Sequence, residues 1–148
     1  MRTLLRFGLF AMIACLMGCA IVPLAQDASI NRVQMGVGFE IFDAPCNEIK
    51  SVYLPTRLQE LGIQSEWTDK SLGKLTVGPF IEEADSPSTY SKVRQTYYFD
   101  ITCGDELITS ISGEVILEGL SKAGQWIGIT NSTTIEHHSM QFLQRLDL

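Results

Sequence analysis

The sequence predicts an α+β domain, an antiparallel or mixed sheet of about five strands with two helices packed on one of its faces. Three observations lead there. Apolar and polar residues alternate with a period of two near position 35 and again along two long stretches between 90 and 120. Two other segments place leucines and aromatics at helical spacing. The resulting order, β-α-β-β-β-β-α, builds a sheet from neighbouring antiparallel strands and leaves the helices to cover it.

The elements follow in chain order. In "RVQMGVGFEIF", Val33, Met35, Val37, Phe39 and Ile41 alternate with Gln34, Gly36, Gly38 and Glu40, the pattern of a strand with one buried face. Asp43 precedes the helical segment "APCNEIKSVYLPTRLQELG", where Leu54, Leu58 and Leu61 share a face with Ile49 near it. Gly62 closes this helix by taking the left-handed conformation. Pro55 leaves two readings: a helix bent there, or a turn ending at Leu54 with a shorter helix starting at Pro55.

Short strands are expected at 63–67 and 75–80, then a polar loop, "EEADSPS", turning at Ser86-Pro87. The longest strand signal, "YSKVRQTYYFDITC", is followed by "GDE" and "LITSISGEVILEGL". A two-residue turn at Gly104-Asp105 would mix the two faces of this hairpin. A three-residue loop, 104–106, instead pairs Cys103 with Leu107, Phe99 with Ile111, Gln95 with Val115 and Val93 with Leu117, and is the expected register. It turns Cys103 toward the helix side. "GQWIGIT" offers a further short strand. Thr133 and Glu136 form a candidate capping box for a last helix whose stripe is Ile135, Ser139, Phe142 and Leu146, with Leu143 beside it.

The 148 residues, 45% hydrophobic and 19% charged, suit one globular domain once a leader is set aside. Residues 1–18 read as a signal peptide, with Arg2 and Arg6 as the positive region and 4–17 as the apolar one. Residues 19–32, with Pro23 and no sustained period, read as a tether, and 33–148 as the domain. The formal charge is −6; without Arg2 and Arg6 the chain carries 9 basic against 17 acidic residues. That balance speaks against tracking nucleic-acid phosphates.

Leu16-Met17-Gly18-Cys19 resembles the bacterial lipobox. The resemblance implies cleavage before Cys19, diacylation of its sulfur and acylation of the new amino group, hence a palmitate-type anchor. Ordinary secretion with cleavage after Ala25, or modification at Cys15, are the alternatives. With Ala20 after the cysteine, the lipoprotein sorting rule implies the periplasmic face of the outer membrane.

Outside the leader, Cys46 and Cys103 remain, and an oxidising compartment makes a disulfide between them the natural reading, with two free thiols as the alternative. Closing a loop of this size would stabilise the fold by roughly 4 kcal/mol.

Chemistry is sparse. His137-His138 point about 100° apart on a helix and lack a third ligand, so surface packing is the expected role. Glu82, Glu83 and Asp85 lack a calcium-loop pattern and read as a solvated loop. "GVGFEI" has the first two glycines of a dinucleotide fingerprint without the third, and Asn131-Ser132-Thr133 matches a glycosylation sequon that a bacterial lipoprotein would not use. Tyr90, Tyr97, Tyr98 and Phe99 concentrate aromatics on one strand; Tyr98, with Arg94, Thr96 and Thr102, faces away from the expected core and meets solvent or a partner. No nucleophile with an oriented base is evident, so no catalytic residue, metal or cofactor is assigned.

The lipobox, the helix ending in "RLQELGI", the strand "KLTVGPF", a polar loop, a long hairpin and the final "SMQFLQRL" together resemble the lipopolysaccharide-assembly lipoprotein family LptE, at the level of element order. This implies a non-catalytic accessory subunit of an outer-membrane β-barrel, near lipopolysaccharide. "RVQMG" and "LTVGPF" with a helix between them resemble the peptidoglycan-binding SPOR domains. Auxiliary lipoproteins of lipid transporters share a similar order.

Overall fold

The computed structural model describes residues 32–84, 90–105 and 107–148. The expected leader, Cys19 with most of its tether, Asp85 and the Ser86-Pro87 turn lie outside the described residues.

The domain is α+β, with an antiparallel sheet of seven strands rather than about five. They are β1 (Val33–Gln34), β2 (Phe39–Phe42), β3 (Ser65–Asp69), β4 (Lys74–Glu83), β5 (Tyr90–Cys103), β6 (Ile108–Ser121) and β7 (Trp126–Gly128). The order is β1-β6-β5-β4-β3, and β2 and β7 also pair with β6. The added strand at the start has a local cause. Gly36 adopts φ +74, so the single strand read from the alternation breaks into β1 and β2, two short partners docked at different points along β6. The short strand in "GQWIGIT" forms as β7.

The central hairpin keeps the expected faces but not the expected pairs. Ile101 lies opposite Ile111, Phe99 opposite Gly113, Tyr97 opposite Val115, Gln95 opposite Leu117 and Cys103 opposite Thr109. The pairing is thus offset by two residues from the three-residue loop reading. A slip of two returns every odd residue to the same face, so hydrophobic patterning cannot detect it. The closer contact at Gly113 does discriminate: with φ +148, a Cβ there would stand 2.0 Å from the Tyr98 carbonyl oxygen, so only glycine fits opposite Phe99.

The first helix runs without interruption through Cys46–Glu48, Ile49–Tyr53 and Leu54–Glu60, so neither a separate turn nor a restart is needed at Pro55. The middle piece is a π turn, closed by the Leu54 N–H donating to the Ile49 carbonyl. In a regular α-helix, residues five apart would face about 140° from one another. The wider turn instead brings Ile49 and Leu54 to the core together, and both are buried. It also accommodates Pro55, which has no N–H to give the preceding turn. At the other end Gly62 has φ +69, with Ile63 N donating to Leu58 O at 2.9 Å and Gly62 N to Gln59 O at 3.0 Å, the paired bonds of a Schellman stop.

The last helix, Ser132–Leu146, buries Ile135, Ser139, Phe142, Leu143 and Leu146, the stripe read from the sequence. Its cap differs from expectation. Asn131, not Thr133, is the N-cap, and its Oδ1 accepts from Thr134 N at 3.0 Å and Thr134 Oγ1 at 3.1 Å. Asparagine's short amide reaches the open N–H groups as well as any side chain, so the helix starts two residues earlier. Asn131→Ala should therefore lower stability by about 1 kcal/mol in chemical denaturation, and an unchanged midpoint would refute the cap's role.

Leu75, Val77, Val93, Tyr97, Phe99, Ile101, Ile111, Val115 and Leu117 of the sheet form one core with Leu54 and Leu58 of the first helix and the stripe of the last. At its centre the Phe142 ring lies 4.5 Å from Tyr97, 5.0 Å from Phe80 and 6.1 Å from Phe99. The helices are also linked directly: Arg57 Nε donates to the carbonyls of Arg145 at 3.2 Å and Leu146 at 3.1 Å, satisfying the open end of the last helix with a cation.

The β3–β4 turn is held by Asp69, whose carboxylate accepts from Ser71 Oγ at 2.6 Å and Leu72 N at 3.0 Å. These bonds hold its pKa below the ordinary aspartate value. Because the charged form is the one favoured by folding, the turn's stabilisation is complete at neutral pH. It is lost as pH falls through that lowered value. An NMR titration should show Asp69 inflecting below the exposed carboxylates; an ordinary inflection would refute it.

Candidate functional site

Cys46 and Cys103, far apart in sequence, meet: they form a disulfide with Cα atoms 5.6 Å apart, tying the entrance of the first helix to the end of β5. Ala44 and Ile49, which flank Cys46 in the chain, help line a surface cleft of about 760 Å³ that lies between the first helix and β2. Glu40, Ile41, Phe42 and Ala44 form one wall; Val52, Tyr53, Thr56 and Glu60 of the helix form the other. Phe42, Val52 and Tyr53 are 60%, 52% and 50% exposed, three large apolar side chains lining one cleft.

Two local features produce this cleft. The helix has two stripes: Leu54 and Leu58 enter the core, while Val52, Tyr53, Thr56 and Glu60, spaced by one to four residues, face the cleft. The wall opposite is a strand edge. Side chains alternate across a strand, so a cleft touching Glu40, Ile41 and Phe42 in succession borders the strand's flank rather than one of its faces. β2 pairs only with β6, and its other flank has no strand partner among the described residues. Around the rim stand three carboxylates, Glu40, Glu60 and Asp147, and one guanidinium, Arg57, which donates to Glu60 at 2.9 Å.

The residues singled out for other chemistry fall elsewhere. His137 and His138 stand edge to face with ring centroids 5.9 Å apart, and among the described residues no group of three or more His, Cys, Asp or Glu is arranged to hold a metal ion. Glu82 is not a solvated loop residue. It lies at the end of a polar chain that begins in the core: the Tyr97 hydroxyl donates to Gln95 Oε1 at 2.7 Å, Gln95 Nε2 donates to Glu82 Oε2 at 2.7 Å, and Glu82 pairs with Arg145. Burial pushes the Tyr97 hydroxyl well above its usual range, so it remains a neutral donor. This chain satisfies buried polar atoms and joins β4, β5 and the last helix. Glu83 pairs with Lys92 at 3.4 Å. Gly36 and Gly38 sit at the break between β1 and β2, a turn with no helix following it directly, which removes the phosphate-cradle reading.

The even-numbered face of β5 is an ordered polar surface. Arg94 makes a two-pronged pair with Glu118, at 2.5 and 2.7 Å, and covers the Trp126 ring at 4.6 Å. Arg32 lies 3.6 Å from the centre of the Tyr98 ring. Thr96 and Tyr98 are partly exposed and Thr102 exposed. The cleft residues Phe42, Val52 and Tyr53 escaped sequence reading, although Val52 and Tyr53 were visible as apolar positions off the core stripe of an amphipathic helix. No protein-family model matches this chain, and no curated protein matches it significantly.

Proposed function

We propose that the protein is a non-enzymatic lipoprotein, acylated at Cys19 and held at the periplasmic face of the outer membrane, that serves as an accessory or assembly subunit of an envelope complex. The observation that carries this reading is Leu16-Met17-Gly18-Cys19 behind a leader containing Arg2 and Arg6. The Cys46–Cys103 bond supports an oxidising compartment. The apolar cleft supports docking rather than turnover, since its walls offer contact area and no nucleophile with an oriented base. Both helices lie against one sheet face in this reading, leaving the Arg94 and Tyr98 face open.

In the LptE-like form of the role, the partner is an outer-membrane β-barrel engaged in lipopolysaccharide export. That form is favoured over a SPOR-like peptidoglycan binder because β4 leads to β5 with no helix between them among the described residues, where the SPOR order requires one.

Metabolic labelling with radiolabelled palmitate tests the anchor. Wild type should be labelled and should fractionate with outer membranes, and Cys19→Ser should lose both properties. An unacylated mature terminus, or wild type free in the periplasmic fraction, would overturn the proposal. Mild crosslinking followed by purification should recover a barrel protein; retention on isolated glycan sacculi without a barrel would overturn the LptE-like form.

A further inference from the structure

We infer that the β2 edge and the adjoining cleft bind an extended segment of a partner protein as an added strand, apolar at alternate positions with lysine or arginine between them. The inference deepens the accessory-subunit reading by giving the partner's chemistry.

A free strand edge presents a row of backbone N–H and C=O groups that a second chain can pair with. Most edges are protected by being short, charged or covered. The edge Phe39–Phe42 is short and carries Glu40, but Val52 and Tyr53 of the helix flank it, so a pairing segment would gain side-chain burial as well as main-chain hydrogen bonds, the combination that strand-addition sites use.

The alternation of an added strand fixes which side chains go where. On the helix side, the segment would meet Ile41, Val52 and Tyr53, which select apolar residues. On the other side it would pass Glu40 and the exposed Phe42 ring, a carboxylate and an aromatic face that both suit a cation, while Glu60 and Asp147 stand along the helix-side rim. Glu40 is the charged cleft residue on that side, and Glu60 and Asp147, against one guanidinium that already contacts Glu60, keep the surrounding field negative, so the intervening positions are basic rather than acidic. A phospho-bearing or acidic segment would be repelled.

The probe is a fluorescein-labelled octapeptide of alternating valine and lysine, titrated by anisotropy against the full chain in detergent micelles. Saturable binding is expected. It should weaken about tenfold or more when glutamate replaces lysine, and equally when alternate peptide nitrogens along one edge of the probe are methylated, a change that removes main-chain donors without touching the protein. Val52→Lys, at an exposed position, should weaken it about tenfold, while Thr96→Lys on the far sheet face should leave it unchanged.

Absence of saturable binding, indifference to methylation on either edge, equal affinity for the glutamate peptide, or equal loss with Thr96→Lys would each overturn the inference. So would a photocrosslinker at Tyr53 that captures residues 1–31 of the same chain in place of a partner. These outcomes are separate from the palmitate result: failure of acylation at Cys19 leaves peptide binding intact, and failure of peptide binding leaves the anchor intact.

Discussion

Replacing Phe142 with alanine should remove about 3–5 kcal/mol of folding stability, the range for a large aromatic deleted from a packed core. Phe142 is 2% exposed and its ring contacts three others, at 4.5 Å to Tyr97, 5.0 Å to Phe80 and 6.1 Å to Phe99. Truncation would lose the transfer free energy of the ring, and the loss grows because the surrounding rings come from two strands and cannot close the hole. Tyr97 is held by its hydrogen bond to Gln95, and Phe99 sits in the centre of a paired strand. Phe142→Leu, which keeps most of the volume, should cost much less. Denaturant titration of both variants checks the contrast. Equal small losses would show that the last helix contributes little to the core.

Opening the Cys46–Cys103 bond should cost about 4 kcal/mol, because the bridge spans 57 positions of sequence and closes a long loop in the unfolded chain. Denaturation with and without dithiothreitol measures this directly. The reduced wild type and the Cys46→Ser/Cys103→Ser variant should unfold at similar, lower denaturant concentrations; an unchanged midpoint on reduction would refute the estimate. The functional consequence is local as well as global. Cys46 stands between Ala44 and Ile49, both of which line the cleft, so loss of the bridge frees the helix entrance that forms one end of its wall. Reduction should therefore weaken capture of the valine–lysine peptide even where the domain remains folded.

These two effects rest on residues whose roles differed in how far they could be read in advance. The burial of Phe142 follows from a stripe of Ile135, Ser139, Phe142 and Leu146, and one amphipathic helix needs only a face to hide. The disulfide needed spatial proximity, which the cysteine count made reasonable but could not establish. The start of the last helix was misread because a capping box at Thr133 and a better cap at Asn131 compete within three residues, and local propensity ranks them only weakly. Glu82 was misread because its partners, Gln95 and Arg145, arrive from elsewhere in the chain.

The sequence by itself determined which face of the first strand and of the long hairpin and which stripe of each helix is buried, together with the Gly62 stop, because these depend on periods of two and of about 3.6 residues and on one backbone conformation. The structure decided what periodicity cannot express. A two-residue slip in β5–β6 preserves every face, so the register is marked instead by close approaches such as that at Gly113. The cleft, likewise, is a property of no single segment: it exists because the flank of β2 and the second stripe of the first helix are brought side by side, and a strand's flank is composed of backbone, which carries the same groups whatever the sequence.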